Sequence, residues 1–407
     1  VQVANAPAPV AAQRDRWRAS DRAARPARLE RLRERLVAEG LDAYFGTRPE
    51  NSRYLTGFEL GDGEEKVSGS SGRFLVSKDE TVVLADSRYR LQAIEQCPAS
   101  RVEPIVGEVD LRWRELLASL RPVTAGSMSQ VRRVAVEAAF VSHALWAKLA
   151  EADPSVELVP VAGWVEGLRA VKEPSELERI AAACAIADQA LVDTLPEIRP
   201  GITEQELALA LEWRIRTGGA EALAFDVACL SGPRAALPHG SPGPRPVAEG
   251  EVLLFDFGAQ VEGYRSDMTR TLFVGEPSAR DLALYAIVAE AQEAALDALR
   301  ASIAEGQPAS AREIDAVARS VIDAAGHLAA FGHGLGHGIG LATHELPSLG
   351  RLVDATLPSP TVFSVEPGIY LDGQTGIRIE DLVVYDLDAA SLELLTGFPR
   401  GVTVVGV

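Results

Sequence analysis

Two aspartates eleven residues apart, three histidines within twelve residues and two glutamates among apolar neighbours are the groups of this 407-residue chain that could do chemistry together. The segment EVLLFDFGAQVEGYRSDMTRT, 251–271, predicts a β-hairpin, with strand 251–259, a turn at Glu262-Gly263 and strand 264–273. On the first strand Leu254, Asp256 and Gly258 share a face, and on the second Arg265, Asp267 and Thr269 do. Antiparallel pairing would set Asp256 and Asp267 side by side, and Leu253, Phe255 and Phe257 mark the strands as largely buried. Buried carboxylates so close repel and need a shared proton or a cation. FGHGLGHGIGLATHE, 331–345, carries His333, His337 and His344 in a glycine-rich stretch that lets backbone and ligands approach closely. FSVEPGIY, 363–370, and GIRIEDLVVYD, 376–386, each predict a strand bearing one carboxylate, Glu366 and Glu380. Four carboxylates and one imidazole suit two divalent ions of intermediate hardness, Mn²⁺, Co²⁺, Zn²⁺ or Fe²⁺. Two such ions about 3.5–4 Å apart stabilise both sides of a displacement, so the chemistry indicated is metal-assisted hydrolysis of an amide or ester.

The elements that must position these groups divide the chain in two. Before residue 165, short apolar runs at 41–45, 73–76, 81–85 and 131–138 alternate with helical patterns around 88–96, 110–120 and 140–152. That alternation predicts an α/β domain with a mixed sheet and no cluster of catalytic residue types. Leu29, Leu32 and Leu36 predict a helix ending at Gly40. WVEGLRAVKEPSELERIAAAC, 164–184, reads as a join, with Pro174 opening a long helix whose apolar face holds Leu177, Ile180, Ala181, Cys184 and Leu191. Thr203 and Glu206 form a capping box for a second helix running through Leu209 and Trp213. Beyond it, strand pairs and helical segments near 278–301 and 309–326 predict an antiparallel α+β domain. The expected boundaries are an extension at 1–27, one domain at 28–165 and another at 166–407.

Composition narrows the function classes. With 40 basic and 58 acidic residues, a formal charge of -18 argues against binding nucleic acid or anionic membrane, both of which need a basic face. No run approaches 18 uninterrupted apolar residues. Cys97, Cys184 and Cys229 are too far apart for a metal or redox motif, which suggests a reducing, cytoplasmic setting. VQVANAPAPVAAQ does not read as a signal peptide.

The set FDFGAQVEGYRSDMTRT, HGLGHGIGLATHE, VEPGIY and GIRIED resembles the "pita-bread" metallopeptidase family that includes methionine aminopeptidase, aminopeptidase P and prolidase. GLDAYF, NSRYLTGF and DSRYRLQA resemble the creatinase-like N-terminal domain found in several members. The resemblance covers roughly residues 28–400 and implies a curved antiparallel sheet in the catalytic domain. It further implies that Asp256 is the terminal ligand of one metal, that Asp267 and Glu380 bridge both, and that His337 and Glu366 complete the other. Glu366 would act as general base, His239 would contact the substrate backbone and His344 would stabilise the oxyanion. His333 would line the proline pocket and Arg378 would orient the site carboxylates. His143 and His327 match no motif and read as structural. One departure stands out: the family commonly has an acidic or aliphatic pair after GHGIGL, where this chain has Ala342-Thr343.

The resemblance implies a dinuclear enzyme, Mn²⁺ favoured, that cleaves Xaa-Pro bonds in short peptides with proline second, working as a homodimer. SGPRAALPHG and HGLGHGIGL lean the expectation to aminopeptidase P, with Xaa-Pro dipeptidase (prolidase) as the alternative. A creatinase-like hydrolase or an inactive binding scaffold would be expected to lack metal ligands, and all five are present.

Overall fold

The computed structural model describes residues 10–60, 69–123 and 130–406, so the start of the expected extension, 1–9, lies outside the described residues. Its contacts divide the chain at Arg169/Ala170 into two compact units, with the first turns of the long helix α1 (Val10–Ala38) grouped with the second unit up to Trp17. Among the described residues no helix is long and apolar enough to cross a membrane. The architecture is a mixed-sheet α/β domain followed by an α+β catalytic-type domain with mainly antiparallel sheets.

The N-terminal unit is built on β1 (Ala43–Gly46), β2 (Phe74–Val76), β3 (Thr81–Ala85), β4 (Arg101–Pro104), β5 (Arg133–Glu137) and β6 (Glu157–Val161). They form one sheet in the order β4-β3-β2-β1-β5-β6. It is mixed because β1 runs antiparallel to β2 and parallel to β5. Helices α2 (Pro49–Thr56), α3 (Arg90–Gln96), α4 (Trp113–Ala118) and α5 (His143–Ala152) connect these strands, and α6 (Trp164–Ala170) follows the last of them. α2, β4 and β6 carry too little periodicity to have been read from sequence. The NSRYLTGF segment serves a buried polar network here. Glu137 accepts from Tyr44 Oη, the Thr47 and Arg48 amides and Asn51 Nδ2, at 2.6–2.9 Å. A carboxylate so supplied with donors offsets much of its burial cost.

The C-terminal unit opens with α7 (Pro174–Thr194), whose N-cap Glu173 forms a capping box with Glu176. Its buried face is broader than the predicted stripe and includes Cys184, Ile186, Ala187 and Asp188, while Leu177 and Ala181 are only partly covered. All three cysteines are buried thiols, as expected of small core residues. α8 (Glu204–Thr217) begins at the Thr203–Glu206 capping box, as its sequence dictates. Leu209 and Trp213, however, lie on its exposed face.

After β7 (Ala222–Leu223) and β8 (Ala228–Ser231), the predicted hairpin appears as β9 (Val252–Phe257), β10 (Ala259–Val261), β11 (Tyr264–Arg265) and β12 (Met268–Val274). Helices α9 (Ala279–Ala304) and α10 (Ala311–Ala324) follow, capped by Ser278 and Ser310 side chains. They pack Leu284, Val288, Leu296, Ile314 and Ile322 into a core shared with the remaining strands. Those are β13 (Gly336–Gly338), β14 (Glu345–Leu349), β15 (Thr361–Val365), β16 (Gly368–Leu371), β17 (Thr375–Arg378), β18 (Asp381–Asp386), β19 (Ser391–Leu394) and β20 (Val404–Val405). Two sheets matter for the site: β20-β12-β9-β8 and β14-β13-β15-β18-β19. A buried ion-pair network ties them. Arg270 Nη2 bonds Asp381 Oδ1 at 2.6 Å, Gln292 Nε2 bonds Asp381 Oδ2 at 2.9 Å, and Arg270 also donates to the Phe398 carbonyl. Nearby, Asp188 accepts the Gly397 and Phe398 amides at 2.7 and 3.0 Å.

Candidate metal centre

The hairpin places both aspartates, with one correction to their expected pairing. Glu262 and Gly263 form the turn, both at positive φ, and the β9–β12 register sets Asp256 opposite Thr269. Asp267 comes opposite Gly258, so the two aspartates are diagonal neighbours on one face instead of side by side. The reason is the position of the two-residue turn: with Val261 paired to Tyr264 across Glu262-Gly263, the register falls two residues from aspartate facing aspartate. Gly258 is needed there: a Cβ would fall 1.9 Å from the Ser266 carbonyl oxygen.

Both glutamates sit in breaks between strands, where the sequence predicted strand interiors. Glu366 follows β15 and precedes Pro367, whose missing N–H ends the ladder. Glu380 lies between β17 and β18. Each break is used to cross to another element: the Glu366 amide bonds the Leu335 carbonyl at 2.8 Å, and the Glu380 amide bonds the Thr269 carbonyl at 3.1 Å. His337 is centred on β13, brought close to β15 because Gly336 has no side chain; a Cβ there would meet the Ser364 carbonyl at 1.8 Å. Ser364 Oγ accepts the His337 amide at 3.0 Å and donates to Glu366 Oε1 at 2.9 Å.

These elements converge. His337 Nε2 is 3.4 Å from Glu366 Oε1 and 3.6 Å from Asp267 Oδ2. One ligand-type atom each from Asp267, His337 and Glu380 lies within 4.8 Å of the others. His337 Nδ1 is 3.1 Å from the Gly338 carbonyl, which assigns the ring proton to Nδ1 and turns the Nε2 lone pair toward the carboxylates. Burial lowers the His337 pKa and keeps that lone pair free. Burial first, then repulsion from Glu380, Asp256 and Glu366, pushes the Asp267 carboxyl well above the usual carboxylate range. Glu380 is raised by burial, Glu366 and Asp256, and Glu366 is raised by burial.

Among the described residues, Arg378 is the arginine that pairs with this negative charge at close range. Its Nη2 bonds Asp256 Oδ2 at 2.5 Å, its Nε bonds Thr269 Oγ1 at 2.7 Å, and Thr269 Oγ1 donates to Glu380 Oε2 at 2.7 Å. Two oxygens stay orphaned: Asp256 Oδ1 and Glu380 Oε1 are buried with no hydrogen-bond partner. Orphaned acceptors, mutually repelling carboxylates and an aimed imidazole lone pair fit a divalent-cation centre without thiolates.

One cavity of about 990 Å³ is lined by Asp256, Asp267, His337, Glu366, Glu380 and Arg378 together with His239, His333 and His344. The His344 ring lies 4.0 Å from that of His337. His333 bonds the Gly334 carbonyl through Nδ1 at 2.8 Å and Tyr370 Oη through Nε2 at 2.9 Å. Arg378 Nη1 also reaches Tyr370 Oη, at 3.0 Å. His327 does not line the cavity. Tyr370, Thr269 and Ser364 received no role from sequence. Thr269 shares the Asp267 face of its strand, and that alternation was the available signal.

Two family models match the chain: "Metallopeptidase family M24" over residues 178–386 and "Creatinase/Prolidase N-terminal domain" over 28–171. An Xaa-Pro dipeptidase from Pyrococcus furiosus is 31% identical over 358 residues, 88% of this chain and 94% of that protein. The solved structure of an Xaa-Pro dipeptidase from Bacillus anthracis matches with TM-score 0.79 and 32% identity, covering 93% of this chain and 99% of the other. That of an X-Pro aminopeptidase from Thermotoga maritima matches with TM-score 0.80 and 35% identity, covering 93% and 99%.

Proposed function

The chain belongs to metallopeptidase family M24, with a creatinase/prolidase N-terminal domain, and from that premise we propose that it is a dinuclear Xaa-Pro dipeptidase. It is a metallo-exopeptidase by family and relatives. The observation that carries the site reading is the pair of orphaned buried oxygens, Asp256 Oδ1 and Glu380 Oε1, facing a cavity that also gathers His239, His333, His337 and His344. Asp256, Asp267, His337, Glu366 and Glu380 would hold two divalent ions, with Mn²⁺ our choice for this ligand set. Bound there, the ions supply Lewis acidity and a water activated for attack at neutral pH.

This chain's own groups do the rest. Glu366, fixed by the Ser364 hydroxyl and raised by burial, is suited to take a proton at its carboxylate and hand it to the departing amine. His344 and His239, both on exposed edges of the cavity, would hold the peptide carbonyl and backbone. His333, braced by Tyr370, would lie against the proline ring. Arg378 holds Asp256 in place and fixes Glu380 through Thr269.

Two features turn the reading from aminopeptidase P to dipeptidase. Relatives matching over nearly their full length carry the dipeptidase name. Within the cavity, Arg351 donates one bond to the Phe331 carbonyl at 3.2 Å and has no carboxylate partner among the described residues. That leaves a cation anchored on the carbonyl two residues before His333, in the polar frame of the expected proline pocket, where a dipeptide's own carboxylate would end. The aminopeptidase reading retains the support of the Thermotoga maritima structure. Mn²⁺-loaded protein should cleave Leu-Pro, and Leu-Pro-Gly at least about tenfold more slowly. A preference for the tripeptide would restore aminopeptidase P, and failure to cleave either would refute both.

A further inference from the structure

Four arginines line the cavity, and they differ in what holds them. Arg378 is paired with Asp256 and Arg319 with Asp315. Arg351 and Arg265 have no carboxylate partner among the described residues. Arg265 is the more constrained of these two. Its Nη1 donates to the Ala224 carbonyl at 3.0 Å and to Thr343 Oγ1 at 2.9 Å, while Thr343 Oγ1 donates in turn to Ala224 at 3.2 Å. Its amide is tied to the Gly340 carbonyl at 2.9 Å.

The opposite edge of the guanidinium donates no hydrogen bond to any described group. Nε is buried without a hydrogen-bond partner, and Nη2 bonds no described group. Nε and Nη2 form the fork that matches a carboxylate through two parallel bonds. Asp267, two residues further along the chain between β11 and β12, does not take it: no oxygen of Asp267 lies within ion-pair distance of Arg265. An anchored arginine with its carboxylate-binding edge unfilled, half-buried in a substrate cavity, is built to receive an anion from outside the chain.

The anchors show which part of a peptide it faces. Thr343 adjoins His344 and Ala224 adjoins Phe225, so Arg265 belongs to the wall carrying His344 and Phe225. Arg351 and Arg319 are tied to the backbone of Phe331 and His333, on the wall assigned to proline. Resting on the Xaa-Pro dipeptidase reading, we propose that Arg265 is a specificity residue that binds the side-chain carboxylate of an acidic residue preceding proline. The Ala342-Thr343 departure from the family pattern then has a purpose, since Thr343 supplies the hydroxyl that orients the fork.

The test compares Glu-Pro with Gln-Pro, which differ in charge and hardly in shape, and includes Leu-Pro. For the Mn²⁺-loaded enzyme, kcat/KM for Glu-Pro should exceed that for Gln-Pro by about tenfold or more. Arg265→Met should bring that ratio to near one, and Arg265→Lys, which keeps the charge and loses the fork, should leave it between the two. Because the ratio is read within one protein, a variant with partly lost activity still reports it. Glu-Pro cleaved no faster than Gln-Pro, with Leu-Pro hydrolysed, would overturn the role of Arg265 and leave the dipeptidase reading standing. A ratio unchanged in Arg265→Met would overturn it equally. No hydrolysis of Leu-Pro or of either other dipeptide would remove the reading on which it rests.

Discussion

Replacing Asp188 with Asn should change how the stability of the C-terminal unit depends on pH. Asp188 is 3% exposed on α7. Burial pushes its carboxyl from an ordinary 3.8 to about 6, against the pull of the Gly397 and Phe398 amides and of Arg270. Desolvation wins because both amide donors are neutral and Arg270 is committed to Asp381. The folded state therefore holds this proton more tightly than the unfolded chain. Its contribution to stability is fully present below pH 3.8 and is lost as pH rises through about 6. At 1.36 kcal/mol for each pH unit, that interval corresponds to about 3 kcal/mol. For a domain of this size, about 2–4 °C accompanies each kcal/mol, so the effect is roughly 6–12 °C in Tm. Asn keeps one acceptor oxygen for the two amides and loses the titration. Thermal melts of metal-free wild type and Asp188→Asn from pH 4 to pH 7 isolate it, because titration of the metal-site carboxylates is common to both proteins. The wild-type Tm should fall relative to the variant's by that amount. A difference that stays flat, or that grows in favour of the wild type as pH rises, would show that the amides and Arg270 outweigh desolvation.

Other substitutions probe the centre itself. Gly258→Ala must push the Ser266 carbonyl away, at a stability cost of about 1–3 kcal/mol or more, and should lower bound Mn²⁺ measured by elemental analysis. Asp267→Asn removes one of the mutually repelling carboxylates. Metal-free protein at pH 7 should melt higher than wild type, lose less Tm as pH rises from 4, and no longer gain Tm on adding Mn²⁺. Arg351→Leu should raise KM for Leu-Pro about tenfold with little change in kcat, as steady-state kinetics would show.

What the sequence made legible was the chemistry and the long elements. Histidines spaced among glycines, and aspartates alternating with Leu253, Phe255 and Phe257, are local patterns with a direct physical meaning. Thr203 and Glu206 announced a helix start that the structure realises. What stayed hidden depends on distant partners. Glu366 and Glu380 looked like strand residues because their neighbours are apolar, yet each lies where one ladder stops and the amide crosses to Leu335 or Thr269. Strands as short as β7 or β13 offer no period to read. The aspartate register turned on where the two-residue turn sits, which offsets the pairing by two residues. Leu209 and Trp213 have the composition of a core stripe and lie outside it. The Arg270–Asp381–Gln292 network joins residues up to 111 positions apart and leaves no local trace.

The Thr269–Glu380 crossing has a consequence for how the protein comes into being. The five proposed ligands stand on pieces of chain that become neighbours only after two sheets have closed over α9 and α10. Contacts so remote in sequence form late and slowly, because loop closure must precede any reward. A half-folded chain would show a cation scattered carboxylates of little affinity, whereas the finished core presents them all at once. Metal uptake should therefore report completion of the fold: a chain that stalls before the two sheets close lacks the assembled ligand set and should stay empty.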